Sequence, residues 1–143
     1  MKIEARYFSI GGNTKRLIEA VCEVVDIKPL DITNKVESCD VLFFATALYK
    51  FTIDKAVKTF LRNLTSSNVK QIVCFSTSAS NSSIVKKVKK QIKDEDIVVL
   101  EKNFSTPGEF LKANKGRPNE DDLNKAKEFT KELVLELSKL EAK

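Results

Sequence analysis

Hydrophobic positions along the chain change period several times, and each change marks an element. Residues 2–8 alternate Ile3, Ala5 and Tyr7 with polar partners before Phe8, which predicts a strand with one apolar face. Leu17, Ile18, Val21, Cys22 and Val25 then recur at helical spacing. Residues 26–32 are short and contain Pro29, so a strand there belongs at a sheet edge. Val41-Leu42-Phe43-Phe44-Ala45 is an unbroken apolar run, as expected of a central strand covered on both faces. Ala56, Val57, Phe60, Leu61 and Leu64 form a second helical stripe, with Asp54 placed to cap it. Residues 69–75 read as a strand, residues 76–83 as a hydroxyl-rich loop, and residues 84–93 as an amphipathic helix. Ile97-Val98-Val99-Leu100 is a last strand, residues 103–118 a long connection, and Asn119 caps a final helix whose first turn carries Glu120, Asp121 and Asp122.

Strands alternating with helices predict an α/β protein built on a parallel sheet with right-handed crossovers. Five strands in 143 residues fit a doubly wound sheet of order 2-1-3-4-5, helices on both faces, in a single domain over residues 1–143. A barrel would need eight such units and about 250 residues. In a doubly wound sheet the ligand lies beyond the carboxyl ends of the strands, where the winding reverses between strands 1 and 3. That rule selects the loops at residues 9–14, 46–53 and 76–83.

Composition narrows the chemistry. The chain is 42% hydrophobic and 31% charged, which is ordinary for a folded globular protein. It has no histidine, so Ser-His-Asp and Cys-His nucleophiles and His-ligated zinc are excluded. Cys22, Cys39 and Cys74 are too widely spaced for a metal motif and odd in number; reduced thiols and a cytoplasmic location are expected. Cys22 and Cys74 sit in core patterns, whereas Cys39 is expected to be more exposed. No segment has the length of a signal peptide's apolar region or of a membrane span, so no membrane partner is expected.

The formal charge of +5 is uneven. Between Lys55 and Lys93 there is no acid at all, and Lys86, Lys87, Lys89, Lys90 and Lys93 crowd one helix. A nucleic-acid face is the sharper reading. The apolar spacing of Ile84, Val85, Val88 and Ile92 and the lack of interleaved aromatics favour a solvated helix face instead.

The first loop carries the chemistry. Ser9-Ile10-Gly11-Gly12-Asn13-Thr14 holds two of only four glycines and feeds a helix N-terminus, whose free amides and partial positive charge form a seat for phosphate. Ser9, Asn13 and Thr14 add side-chain donors. No nucleoside-triphosphate loop and no dinucleotide fingerprint is present, and the loop lacks a cysteine nucleophile. Ala45-Thr46 and Ser9-Ile10 stand where a phospho-accepting regulator would need acids. Binding of a monophosphate remains.

This loop resembles the flavodoxin phosphate loop, Thr/Ser-x-Thr/Ser-Gly-Asn-Thr, which in that family encloses the phosphate of FMN. The likeness extends over essentially the whole chain. Residues 40–49, ending Thr46-Ala47-Leu48-Tyr49, are similar to the family's third strand and the loop bearing an aromatic against the flavin. Residues 57–61 resemble the following helix, and residues 115–123 the approach to the last one. The resemblance implies phosphate contacts from Ser9, Ile10, Gly11, Gly12, Asn13 and Thr14. It implies stacking by Tyr49, with Phe51 as the other aromatic at hand, and a flavin slot lined by Thr46, Ala47 and Leu48. Ser76, Thr77, Ser78, Ala79 and Ser80 would line the other side.

Three departures stand out. Gly11 replaces a hydroxyl residue, there is no tryptophan, and no glycine follows Tyr49. An FMN-binding electron-transfer protein with a redox partner protein is the function the resemblance implies. An FMN-dependent NAD(P)H:quinone-type reductase and a flavodoxin-like interaction domain that has lost its cofactor are the alternatives. The basic character of the chain would favour an anionic reduced flavin and so a less negative potential than the family's.

Overall fold

The computed structural model describes residues 1–141. Nine elements follow in order: β1 (Ile3–Tyr7), α1 (Asn13–Val25), β2 (Leu30–Asp31), β3 (Cys39–Ala47), α2 (Lys55–Arg62), β4 (Val69–Ser78), α3 (Val85–Gln91), β5 (Val98–Pro107) and α4 (Glu120–Glu141). The five strands make one parallel sheet of order β2-β1-β3-β4-β5, as the alternation of elements predicts. Successive β3 residues feed opposite faces. Phe43 and Ala45 pack under α1 and α4, while Leu42 and Phe44 pack under α2 and α3. Full burial on both sides explains why this strand is apolar at consecutive positions. Phe43, Phe75 and Phe129 form an edge-to-face aromatic chain from sheet to α4, with centroids 5.4 and 5.8 Å apart.

Caps set the helix starts. Asp54 accepts from the Ala56 amide at 2.8 Å. Asn119 Oδ1 accepts from the Asp122 amide at 3.0 Å while Asp122 Oδ2 accepts from the Asn119 amide at 2.9 Å, a reciprocal box that opens α4.

The strands run further than the apolar pattern suggests. β4 continues through Ser76, Thr77 and Ser78, which were expected in a loop, because these residues still pair with Thr46 and Ala47 and with Ser105, Thr106 and Pro107. β5 likewise extends to Pro107, into the expected connection. Its register slips between Ile72↔Val99 and Cys74↔Asn103, and its polar second half lies on the sheet edge where no apolar alternation is required. The expected exposure of Cys39 is overturned. It begins β3 with 5% of its surface exposed, and burial, then the nearby Glu4 carboxylate, push its thiol up to about 11.

One crossover differs from the others. β1–β2, β3–β4 and β4–β5 are joined through helices, but β2 and β3 are joined by residues 32–38 without one. There Arg6 of β1, only 4% exposed, donates from Nε to the Asn34 carbonyl at 2.9 Å and from Nη2 to that of Lys35 at 2.6 Å. A buried guanidinium thus holds a loop over the strand pair where the fold would otherwise lay a helix, which accounts for the polar alternate positions Glu4 and Arg6.

Candidate functional site

A cavity of about 350 Å³ opens at the carboxyl ends of β1, β3, β4 and β5, where the winding reverses. This is within the usual range for small-molecule sites of roughly 300–1,000 Å³. Its first wall is the loop after β1, where Ser9, Ile10, Gly11, Asn13 and Thr14 all line the space. Gly12 does not; it is the turn that aims them. At φ 91° it adopts the left-handed conformation that glycine takes without strain, and its amide donates to Ser9 Oγ at 3.1 Å, closing the loop on itself.

The helix that follows starts uncapped. Among the described residues no side chain caps the amides at the start of α1, and the first bond to its cap residue runs from the Arg16 amide to the Gly12 carbonyl. The amides of Asn13, Thr14 and Lys15 precede that bond. The turn carries no acid but does carry Lys15 and Arg16. Two cations at the positive end of a helix oppose its dipole, whereas α4 places Glu120, Asp121 and Asp122 there. An anion bound at the start of α1 would reverse that penalty.

The second wall is the end of β3 and the turn beyond it. Ala47, Leu48 and half-buried Tyr49 line the cavity. Burial raises the Tyr49 phenol above its ordinary range, the Ile10 backbone opposing this and Asp54 adding to it. Thr46 lies one residue below the cavity, facing α2 with Phe44 and Leu48, and its buried hydroxyl has no hydrogen-bond partner. Tyr49 and Thr52 exchange backbone bonds of 2.8 and 3.1 Å, so Lys50 and Phe51 form a two-residue hairpin turn with φ of 53° and 64°. Such turns normally take Asn-Gly; here two bulky residues occupy the left-handed region.

The third wall is β4 and its loop. Thr77, Ser78, Ala79 and Ser80 line the cavity, while Ser76 is buried beneath it with Oγ donating to the Ser82 carbonyl at 3.0 Å. Thr77 Oγ1 lies 2.9 Å from Thr14 Oγ1. One of these hydroxyls donates to the other, leaving the second proton available to an anion.

A fourth wall was not apparent in the sequence. Gly108, Glu109 and Phe110 line the cavity from the loop after β5. Asn13 Nδ2 donates to the Glu109 carbonyl at 3.0 Å, locking this loop to the loop after β1. A β-carbon on Gly108 would come within 3.2 Å of Thr77 Cβ, a tight contact that glycine avoids. The signal was a glycine just past the last strand, but the strand's true end was hidden by its polar second half. Lys50 is the other lining residue that went unassigned.

Among the described residues no group of three His, Cys, Asp or Glu side chains is placed to hold a metal ion, and no helix is long and apolar enough to cross a membrane.

No family model matches the chain. It is 28% identical over 136 residues to an uncharacterized protein of Methanocaldococcus jannaschii, covering 85% of this chain and 90% of that one. Among solved structures it is similar to a flavodoxin from the domain Archaea, with a TM-score of 0.65 at 13% identity over 96% of this chain and 99% of that one. The flavodoxin of Streptococcus pneumonia TIGR4 superposes with a TM-score of 0.67 at 12% identity over 94% and 98%. The flavodiiron core from Synechocystis sp. PCC6803 gives a TM-score of 0.70 at 12% identity, over 96% of this chain and 36% of that one. Sheet order, helix placement and these likenesses agree that the chain has the flavodoxin-like fold.

Proposed function

We propose that this protein binds FMN at the carboxyl ends of its strands and passes electrons to and from a partner protein. The observation that carries the reading is the start of α1, an uncapped helix N-terminus with Lys15 and Arg16 in its first turn, opening on a cavity of suitable size. The residues present fit the group. Amides at the start of α1 and the Thr14–Thr77 hydroxyl pair would take the phosphate. Tyr49, Phe51 and Phe110 offer aromatic surface on two sides of the cavity, suited to a planar ring system. Bound FMN supplies the electron-accepting chemistry; the chain supplies anchoring, stacking and charge. Lys50 at the cavity wall would favour a ring that gains negative charge.

The cavity rim suits a protein partner. Ile10 and Phe51, which line the cavity, are 67% and 72% exposed, and Leu111, next to the lining Phe110, is 85% exposed. Exposed Lys50 and Glu109 also line the cavity, and exposed Lys112 and Lys115 follow in the loop after β5. An acidic partner surface with an apolar centre complements this rim.

Calorimetric titration of the protein with FMN tests the reading. Saturable one-to-one binding, with a visible flavin spectrum retained after desalting, is expected. Absence of heat at saturating FMN overturns it.

A further inference from the structure

A second concavity lies elsewhere. A groove of about 960 Å³ runs along α2, opposite the helix-free connection between β2 and β3, and shares no lining residue with the cofactor cavity. One bank is Ile32 and Val36 from that connection; the other is Phe60 and Leu64 from α2 and its end. Phe60 is half-buried, its ring stacked on Phe44 at 5.7 Å, so the groove floor continues the hydrophobic core.

Two observations identify the occupant. The groove lies at the crossover where this fold leaves out a helix, beside a loop that Arg6 pins through the Asn34 and Lys35 carbonyls. The open space is therefore of the kind a helix fills when it packs beside α2. The second observation is charge. Lys35 and Lys55 stand on opposite banks, no acid lines the groove, and neither lysine forms an ion pair among the described residues. Beyond them the α2–α3 side continues the stretch from Lys55 to Lys93, which contains no acid.

We infer that this groove binds an amphipathic helix of another protein, with an apolar stripe against the half-buried Ile32 and Phe60 and acidic residues flanking the stripe to meet Lys35 and Lys55. Helix-in-groove recognition of this kind reads apolar anchors at i, i+3 or i+4, and i+7, while flanking charges set orientation and reject wrong partners. The inference is independent of FMN. Of the acid-free stretch, Lys55 is the lysine that lines the groove.

Photo-crosslinking in the cells that make the protein tests it. The full chain carries Asn63→p-benzoylphenylalanine in the groove or, as control, Lys131→p-benzoylphenylalanine on α4. After irradiation the adduct is mapped by tandem mass spectrometry. The expected result is an adduct from position 63 to a segment of another protein with acids flanking helically spaced apolar residues. Combining K35E with K55E should reduce that adduct about tenfold, through the loss and reversal of two interface charges. A glutamate at position 55 suits the first turn of α2, so thermal unfolding should show the fold retained. An adduct to a second copy of this chain, to lipid, to nucleic acid or to a segment lacking that pattern overturns the inference. So does a yield from position 63 no higher than that from position 131, or an adduct indifferent to the two charge reversals.

Discussion

Thr14 and Thr77, 63 positions apart in the chain, place their hydroxyl oxygens 2.9 Å apart and tie the first turn of α1 to the end of β4. Both residues line the cavity. Thr77→Val keeps the shape, removes one hydroxyl and leaves Thr14 Oγ1 short of a partner. The expected result is FMN affinity weakened about tenfold, corresponding to roughly 1.4 kcal/mol for one hydrogen bond to a charged group. Titration followed by quenching of flavin fluorescence measures it.

On the proposed reading, the basic, uncapped start of α1 would make the phosphate the main anchor. Riboflavin, which lacks that group, should bind at least about a hundredfold more weakly than FMN, since several charge-assisted hydrogen bonds are lost together. Inorganic phosphate alone should raise the thermal midpoint of the ligand-free protein, and Lys15→Glu should diminish that rise. Equal affinities for riboflavin and FMN would contradict the proposed anchor.

Lys50 and Phe51 occupy the left-handed region, at a cost of about 1–2 kcal/mol for each non-glycine residue. Replacing them with Asn-Gly, the pair this turn prefers, should raise the thermal midpoint by several degrees. The same change removes an exposed aromatic from the mouth. Electron exchange between the FMN-loaded protein and an acidic redox protein such as a [2Fe–2S] ferredoxin should therefore slow while stability rises. Stopped-flow kinetics beside a melting curve would show the two moving in opposite directions.

Asp122 is nearly fully buried, and bonds of 2.8 and 2.6 Å from Arg117 hold its carboxyl below the ordinary carboxylate range, assisted by the Asn119 amide. Because the folded-state pKa is depressed, its stabilising contribution is complete above the unfolded value of about 3.9 and is lost as pH falls through the folded value. Asp122→Asn should destabilise the protein by roughly 2 kcal/mol at neutral pH. The gap between variant and parent should narrow as the solution is acidified below about pH 4. Urea denaturation at several pH values checks both statements.

The three thiols give a simpler expectation. Burial pushes Cys22 and Cys74 up to about 12 and Cys39 to about 11. None should be alkylated appreciably by iodoacetamide at pH 8 in the folded protein, and all three should react once it is unfolded. Rapid modification of Cys39 in the native state would contradict its burial at the start of β3.

The legible parts of this protein were those where neighbours in sequence are neighbours in space. The unbroken run from Val41 to Ala45 announced a central strand because both of its faces are buried. Asn119 announced the start of α4 because a cap acts within one turn. The loop from Ser9 to Thr14 was readable for the same reason: strand, glycine turn and helix N-terminus are contiguous. Only tertiary structure decided the rest. Gly108, Glu109 and Phe110 enter the cavity because β5 runs on to Pro107, which follows from its pairing with β4 rather than from its own polar residues. The groove along α2 arises from a helix that is missing between β2 and β3, and Glu4 and Arg6 hint at it only once their face of β1 is known. Local propensity and periodicity fix elements through short-range sterics and burial pattern, whereas walls and grooves are made where distant segments meet, and no single stretch of sequence carries that distance.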